Sequence, residues 1–297
     1  MLAIPGHPGG VREHTTFSVD VIPIQRGDDP RLAPYAGVKQ RQRAQGEIPA
    51  GDSGGEFGDG SFLAEGELVV GLLLASAYRV RSVLLTPVRL EAMGRALGVL
   101  PAGTPVYVAP QDVMTGVVGF HIHRGVLASA ERGAGRTMAD VVEASPRGLV
   151  VMEGLTNADN VGAIFRNTAA LGGAGVGVLL SPTCCDPLYR KAIRVSMGHV
   201  LRTPWAIAEP WPAALGTLRR AGYEVLGLTP GGEDDLGTMA PPEKPAIVVG
   251  SEGPGLSGAA LAAVDRRVRI GMGAGVDSLN VGTATALALH RLFPSPA

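Results

Sequence analysis

Two hydrophobic periods alternate along the chain from Phe62 onward. Short apolar runs predict buried strands, whereas apolar residues spaced three and four apart predict helices. In the first half, strands are predicted at residues 80–85, 105–108 and 124–129, and helices at 67–77, 90–97 and 111–117. This alternation predicts a compact α/β domain that ends near Ala144.

A second alternation begins at residue 149. Strands are predicted at 149–152, 175–180, 205–207, 223–228, 245–250 and 267–270. Helices are predicted at 160–171, 189–196, 212–221, 256–263 and 281–292. Strands that alternate with helices in this way are typical of a parallel sheet covered on both faces, so the fold class is α/β.

These patterns divide the chain into three parts. Residues 1–60 lack a clear apolar period and are predicted to be poorly ordered, with a Gly-rich insertion at 46–60. Residues 61–144 form the first α/β domain and residues 146–297 the second. The best linker between them is the segment 143–148.

Composition supports an α/β protein and gives little sign of a partner. Of the 297 residues, 45% are hydrophobic and only 4% aromatic, with 43 glycines, which suits many tight strand–helix turns. The net charge of −1 does not indicate a nucleic-acid binder, so RNA binding would require a local basic patch. Candidates for that patch are Arg79, Arg81, Arg89, Arg190, Lys191 and Arg194.

The cysteine content and the hydropathy indicate the compartment in which the protein is expected. Cys184 and Cys185 are adjacent, and adjacent cysteines rarely bridge, so we expect reduced thiols in a cytoplasmic protein. Two cysteines cannot complete a structural zinc site, and no metal site is predicted. No uncharged apolar run reaches about 18 residues, and the first ten residues do not resemble a signal peptide, so no membrane association is expected.

Three loops follow predicted strands of the second domain, where parallel sheets bind ligands. They cover residues 153–160, 251–257 and 271–280. Taken singly, each has an ordinary structural explanation. Asn160 could cap a surface helix that exposes Arg166, the Gly-rich second loop could be a tight turn, and Ser278 and Asn280 could be helix caps. The second loop lacks the Gly-Lys-Ser/Thr ending of a phosphate-binding loop.

Together, and in this order, the three loops resemble the motifs of the SPOUT-class methyltransferases, specifically the SpoU (TrmH) family. The first motif is Asn160, Gly162 and Arg166; the second is Gly250, Ser251, Glu252 and Gly253; the third is Ile270, Gly271 and Met272 followed by Ser278, Leu279, Asn280 and Val281. Gly271 stands where the family has Pro. The resemblance covers residues 146–297, and residues 62–127 are similar, more loosely, to an L30e-like substrate-binding domain.

This resemblance implies a knotted (trefoil) parallel-sheet domain, a homodimer with its active site near the subunit interface, and S-adenosylmethionine as cofactor. It also assigns two sets of residues. The cofactor set is Leu228, Thr229, Gly250, Gly253, Ile270, Met272 and Leu279. The catalytic set is Asn160, Arg166, Glu252, Ser278 and Asn280.

The implied activity is 2′-O-methylation of a ribose in structured RNA, ribosomal RNA more than transfer RNA. Methyl transfer from a sulfonium needs no metal. A guanidinium stays protonated in proteins, so we expect Arg166 to hold an RNA phosphate and stabilise the developing alkoxide instead of acting as a base. The alternatives are a catalytically silent RNA-binding or ribosome-assembly protein on the same fold, and a nucleotide-dependent oxidoreductase. The oxidoreductase lacks support because no Gly-rich turn follows its first strand.

Overall fold

The computed structural model describes residues 19–36, 58–119 and 125–293. Most of the Gly-rich segment, residues 46–57, lies outside this part, as do Arg124 and the first ten residues. The described residues form two sheets, one of five strands and one of seven. The strands of the first sheet fall within residues 20–131 and those of the second within residues 148–269.

The first sheet is mixed and has the strand order β1-β4-β3-β5-β2. Its strands are β1 (Asp20–Pro23), β2 (Ser61–Glu65), β3 (Val80–Leu85), β4 (Pro105–Val108) and β5 (Val126–Glu131). Its helices are α1 (Glu67–Leu74), α2 (Pro87–Leu97) and α3 (Gln111–Val118). Strand β1 pairs in parallel with β4, whereas β5 runs antiparallel to β3 and β2.

The prediction of poor order for residues 1–60 is wrong for residues 19–36. Strand β1 occupies an edge of the first sheet, and a 3-10 turn follows at Pro30–Tyr35. Tyr35 is fully buried, and its hydroxyl lies 2.7 Å from Ser82 Oγ on β3. A four-residue edge strand with mainly exposed side chains has no apolar run to reveal it, so its order comes from pairing with β4.

The second sheet is entirely parallel, with the order β10-β12-β9-β11-β6-β7-β8. Its strands are β6 (Gly148–Met152), β7 (Val176–Leu180), β8 (Trp205–Ile207), β9 (Glu224–Leu228), β10 (Asp234–Asp235), β11 (Pro245–Val249) and β12 (Arg266–Arg269). Strands β6 and β11 lie at the centre, and every residue in them is buried.

Helices cover both faces of this sheet, which confirms the predicted α/β architecture. The helices are α4 (Met138–Ala144), α5 (Ala158–Asn167), α6 (Arg190–Val195), α7 (Ala214–Arg220), α8 (Gly258–Ala263) and α9 (Val281–Leu292). Helices α5, α6 and α9 pack on one face, and α4, α7 and α8 on the other. A π-helical turn at Thr168–Gly172 extends α5, so the helix predicted at 160–171 begins two residues earlier and changes its winding near the end.

The two sheets share one continuous hydrophobic core and two buried ion pairs. That core includes residues of β2 and α1 together with residues of α5 and α6. Arg190 of α6 lies 2.5 Å from Glu65 at the end of β2, and Arg132 pairs with Asp186, which has no exposed side-chain surface. Arg190 is therefore part of the contact between the sheets and not part of a basic patch.

The other proposed patch residues are also largely neutralised. Arg79 pairs with Glu131, Arg89 with Glu67, and Lys191 with Asp159. Arg81 pairs with Asp59 and Glu131. Arg194 is exposed. The six residues do not form the basic surface that the sequence suggested. In the described residues, no helix has the length and apolar character needed to cross a membrane.

Candidate active site at the carboxyl ends of the strands

A cavity of about 480 Å³ opens at the carboxyl ends of β9, β11 and β12. The segment 271–280 and the first turn of α9 form its other side. All seven residues assigned to the cofactor line it: Leu228, Thr229, Gly250, Gly253, Ile270, Met272 and Leu279. Three of the five residues assigned to catalysis line it as well, namely Glu252, Ser278 and Asn280.

Gly250 allows the loop after β11 to fold tightly against itself. A Cβ atom at this position would overlap the backbone of Gly255 and the amide of Leu256. The backbone NH of Gly255 donates to Ser251 O at 3.1 Å, and Gly253 adopts a φ of 86°, which favours glycine. The loop backbone therefore packs against itself more closely than any residue with a side chain at position 250 would permit.

The other end of this loop is anchored by Glu153, a buried carboxylate directly after β6. Its Oε1 accepts hydrogen bonds from Trp211 Nε1 and from Ser257 Oγ, both at 2.7 Å. Its Oε2 accepts one from the backbone NH of Ser257 at 2.8 Å. Ser257 is also the N-cap of α8. Three charge-assisted donors to one carboxylate fix the position of the loop relative to the centre of the sheet.

Asn160, Glu252 and Asn280 meet at the mouth of the cavity. Asn160 Nδ2 donates to Glu252 Oε1 at 2.9 Å. Asn280 Nδ2 donates to the same oxygen at 3.0 Å and to Asn160 Oδ1 at 2.9 Å. These contacts join one residue from each of the three loops. These hydrogen bonds fix the positions of the donor nitrogen and the acceptor oxygen in each amide. Both asparagine side chains therefore have one defined orientation.

Asn160 does not cap α5, as its position suggested it could. The N-cap is Asn157, whose side chain accepts from the NH of Asp159 at 2.8 Å. Asn160 lies in the first turn, where its buried side chain is directed to Glu252. Asn280 does cap its helix, because its Oδ1 accepts from the NH groups of Gly282 and Thr283.

Helix α9 is held against α5 by close contacts. Asn167 Nδ2 donates to Gly282 O at 2.9 Å, and a Cβ on Gly282 would approach Ala163 Cβ to 3.2 Å. Asn167 lies two turns after Asn160, on the same face of α5. Neither Asn167 nor Glu153 was among the predicted site residues. Glu153 lies in the first loop, but its partners are 58 and 104 residues away, and no local spacing reveals them.

Arg166 does not line the cavity. Six positions after Asn160, it points from a different face of α5 and is exposed. Arg166 lies close to His199, because burial, Arg166 and Arg202 together lower the pKa of that histidine. Burial is the largest of these effects. Arg166 is thus separate from the Asn160–Glu252–Asn280 cluster within one chain.

Comparison with known proteins agrees with the motifs. Residues 148–290 match the SpoU rRNA Methylase family. An uncharacterized tRNA/rRNA methyltransferase of Mycobacterium bovis is 41% identical over 294 residues, which cover 96% of this chain and 93% of that protein. The chain belongs to the SpoU methylase family. A homologue in Mycobacterium tuberculosis, also described as an uncharacterized tRNA/rRNA methyltransferase, has the same identity and coverage.

Solved structures show that the SpoU fold extends over almost the whole chain. The AdoMet-bound rRNA methyltransferase of Sinorhizobium meliloti superposes with a TM-score of 0.72 at 21% identity, covering 92% of this chain and 97% of that one. The SpoU methyltransferase AviRb of Streptomyces viridochromogenes gives a TM-score of 0.69 at 22% identity, covering 89% and 97%. In the described residues, no cluster of His, Cys, Asp and Glu side chains could hold a metal ion.

Proposed function

We propose that this SpoU methylase transfers a methyl group from S-adenosylmethionine to a ribose 2′-hydroxyl in structured RNA, ribosomal RNA more than transfer RNA. The observation that carries the proposal is the hydrogen-bonded cluster of Asn160, Glu252 and Asn280 at the mouth of the strand-end cavity. A catalytically silent RNA-binding protein would have no need for this oriented cluster beside a cavity of ligand size. The relatives described as tRNA/rRNA methyltransferases support the same substrate class.

The cavity fits the proposed cofactor in size and chemistry. A volume of about 480 Å³ lies in the range of small-molecule sites. Leu228, Ile270 and Leu279 offer apolar contacts to an adenine ring, and the tight turn at Gly250 lets backbone groups approach a ligand. When bound, S-adenosylmethionine would supply an activated methyl group, with S-adenosylhomocysteine as the leaving group and the hydroxyl proton released to water. Thr229 and Met272 also line the cavity and belong to the proposed S-adenosylmethionine site.

The chain's own contribution is to orient the ribose and stabilise its oxygen. We assign Asn280 and Ser278 to the reacting hydroxyl, with Asn160 and Glu252 holding the Asn280 amide in one orientation. Alignment of two reactants can lower a barrier by several kcal/mol. Arg166 is exposed and has no carboxylate partner in the described residues, so it is free to hold an RNA phosphate and stabilise developing negative charge.

Three further features belong to the same proposal. The first is a trefoil knot, supported by the path of the chain, which goes from β12 back across the sheet so that α9 packs on α5. The second is an L30e-like RNA-binding role for the first sheet. The third is a cytoplasmic homodimer with the active site near its interface, supported by the exposed Val276, Leu279 and Leu287 on and beside α9.

The decisive experiment is to map ribose methylations in RNA from cells with and without the gene. Loss of one or a few 2′-O-methyl groups supports the proposal and identifies the RNA. Unchanged ribose methylation would overturn it. A calorimetric titration with S-adenosylmethionine separates the enzyme from a silent protein on the same fold, because the silent protein would not bind the cofactor.

A further inference from the structure

A short turn beside α5 places the side chains of His199 and Arg202 in the neighbourhood of Arg166. The 3-10 turn His199–Leu201 packs against both α5 and α1, and Arg202 ends it. The NH of Arg202 donates to His199 O at 3.1 Å, which keeps the two residues within one turn. Burial, Arg166 and Arg202 all lower the pKa of His199, so each arginine lies close enough to that imidazole to act on it. We call these three residues the junction cluster.

Among the described residues, the two arginines of the junction cluster and Arg194 have no carboxylate partner, unlike most cationic groups in this region. Across residues 19–36, 58–119 and 125–293, neither Arg166 nor Arg202 has a carboxylate partner, and both are exposed. By contrast, Arg190, Lys191 and most arginines of the first sheet form ion pairs. Exposed guanidinium groups without a carboxylate partner give this surface a positive potential.

An apolar groove begins where the junction cluster ends. It has a volume of about 470 Å³ and lies between α1, α2 and the turn that carries His199. Its lining residues are Glu67, Leu68, Gly71, Leu72, Ala92, Met93, Ala96, Met197 and His199. Leu68 is 65% exposed at its edge, and the Glu67 carboxylate is neutralised by Arg89 at 2.8 Å. His199 thus belongs to both the groove and the junction cluster.

We propose that the junction cluster and this groove form a binding subsite for single-stranded RNA next to the methylated nucleotide, with phosphates on Arg166 and Arg202 and an unstacked base in the groove. This inference rests on the proposed RNA methyltransferase function. Single-stranded RNA fits because it offers anionic phosphates next to apolar base faces, which matches guanidinium groups near His199 and the apolar groove that His199 also lines. A half-buried histidine beside Met197 supplies a surface against which a base can stack.

The subsite would connect the two halves of the molecule functionally. Its cations come from α5 and from the turn before β8, whereas most of its apolar wall comes from α1 and α2 of the first sheet. The first sheet therefore contributes a base-binding surface close to the catalytic Arg166. A second copy of the chain or another protein could instead cover an apolar groove, and the experiment distinguishes these occupants.

Two variants test the subsite, each with a matched control. Arg202→Ala removes a phosphate contact and is compared with Arg220→Ala, an exposed arginine on α7 at the opposite face of the sheet. Leu68→Asp places a negative charge at the groove edge and is compared with Val99→Asp, an equally exposed apolar position that does not line the groove. Binding is measured on the full chain by fluorescence anisotropy with a labelled mixed-sequence RNA of roughly 12 nucleotides.

We expect Arg202→Ala and Leu68→Asp each to weaken RNA binding about tenfold, while the two controls bind like the wild type. The salt dependence of binding should lose about 0.7 in logarithmic slope for Arg202→Ala, as for one single-strand phosphate contact. Equal RNA affinity in the variants and controls would overturn the proposal. So would a loss that accompanies dissociation of a dimer in sedimentation analysis, which would assign the groove to a protein partner.

The outcome is separable from that of the proposed function. If wild-type chain neither binds S-adenosylmethionine nor changes ribose methylation in cells, the enzyme assignment fails. If wild-type activity is present but Arg202→Ala and Leu68→Asp retain normal RNA affinity, only the subsite fails.

Discussion

Glu153 and Ser257 form two hydrogen bonds across 104 residues of sequence. The backbone NH of Ser257 donates to Glu153 Oε2 at 2.8 Å, and the Ser257 hydroxyl donates to Oε1 at 2.7 Å. Because Ser257 ends the loop that begins at Gly250, this contact ties one wall of the cavity to the central strand β6.

Replacement of Glu153 by Ala should loosen that wall. The substitution leaves buried donors unpaired, so we expect a loss of about 1–3 kcal/mol in the free energy of unfolding. S-adenosylmethionine affinity should fall as well, measured by calorimetry on protein that remains folded. Trp211→Phe is the matched control, because it removes one donor and leaves both bonds from Ser257. Normal cofactor affinity in Glu153→Ala would show that the loop does not need this anchor.

Gly250→Ala should damage the cavity more than its small size suggests. Its Cβ would overlap the backbone of Gly255, so the loop backbone would have to shift to make room for it. We expect loss of cofactor binding by calorimetry. Gly258→Ala is the control, since a Cβ there meets nothing within 4 Å and Ala favours the first turn of α8. If both variants bind the cofactor equally, the tight turn is not required.

Asn280→Asp separates helix capping from the active-site cluster. Aspartate caps helices as well as asparagine, so α9 should retain its stability. It cannot donate to Asn160 Oδ1, and it would place a second negative charge beside Glu252. We expect a drop in methyl transfer of about 100-fold with little change in Tm. Asn280→Ala should lose activity and about 1 kcal/mol of stability together. A normal rate in Asn280→Asp would remove the amide from the mechanism.

Arg166→Ala should uncouple catalysis from cofactor binding. Arg166 does not line the cavity, so the Kd for S-adenosylmethionine should not change. We expect turnover to fall about 100-fold, measured by incorporation of labelled methyl groups into RNA from cells that lack the gene. Arg166→Lys should restore part of the rate because it keeps a positive point charge. Near-normal turnover in Arg166→Ala would contradict the assigned role.

RNA affinity should rise as the pH falls from about 7.5 to about 5.5. Burial, Arg166 and Arg202 lower the pKa of His199, so the free protein carries a neutral imidazole at pH 7. A bound phosphate favours the charged form, and binding therefore takes up a proton. The Glu67 carboxylate across the groove is paired with Arg89. His199→Gln should give a flatter pH profile by anisotropy, and an unchanged profile would exclude His199 as the titrating group.

The sequence predicted the central strands β6, β7 and β11 of the second sheet well, because each is a buried run without charged residues. The two-residue acidic strand β10 was not predicted, because it has no apolar content. Residues 205–207 were predicted as a strand and form β8 without an error at either end. The three loops could be placed at strand ends for the same reason. By contrast, β1 was missed, because its order depends on a partner more than 80 residues away and not on its own apolar content.

The contacts between side chains that are distant in sequence could not be predicted from residue spacing. Asn160 looked like a helix cap by position, and only the approach of Glu252 explains where its amide points. Arg190 looked like a surface cation, yet its partner Glu65 lies 125 residues earlier in the chain. In both cases the role of the side chain depends on a partner brought close by the tertiary fold. The local sequence pattern does not indicate that partner.

The ion pairs Arg190–Glu65 and Arg132–Asp186 give the molecule a fixed internal spacing. Breaking either would leave a charged group in a buried setting without its ion-pair partner, at a cost of several kcal/mol. The distance between the groove on the first sheet and the cavity on the second is therefore set before any RNA arrives. If the proposed function and subsite hold, an RNA must present its target ribose and its flanking base at that separation. The protein would then select among RNAs by the shape of the folded RNA as much as by its nucleotide sequence.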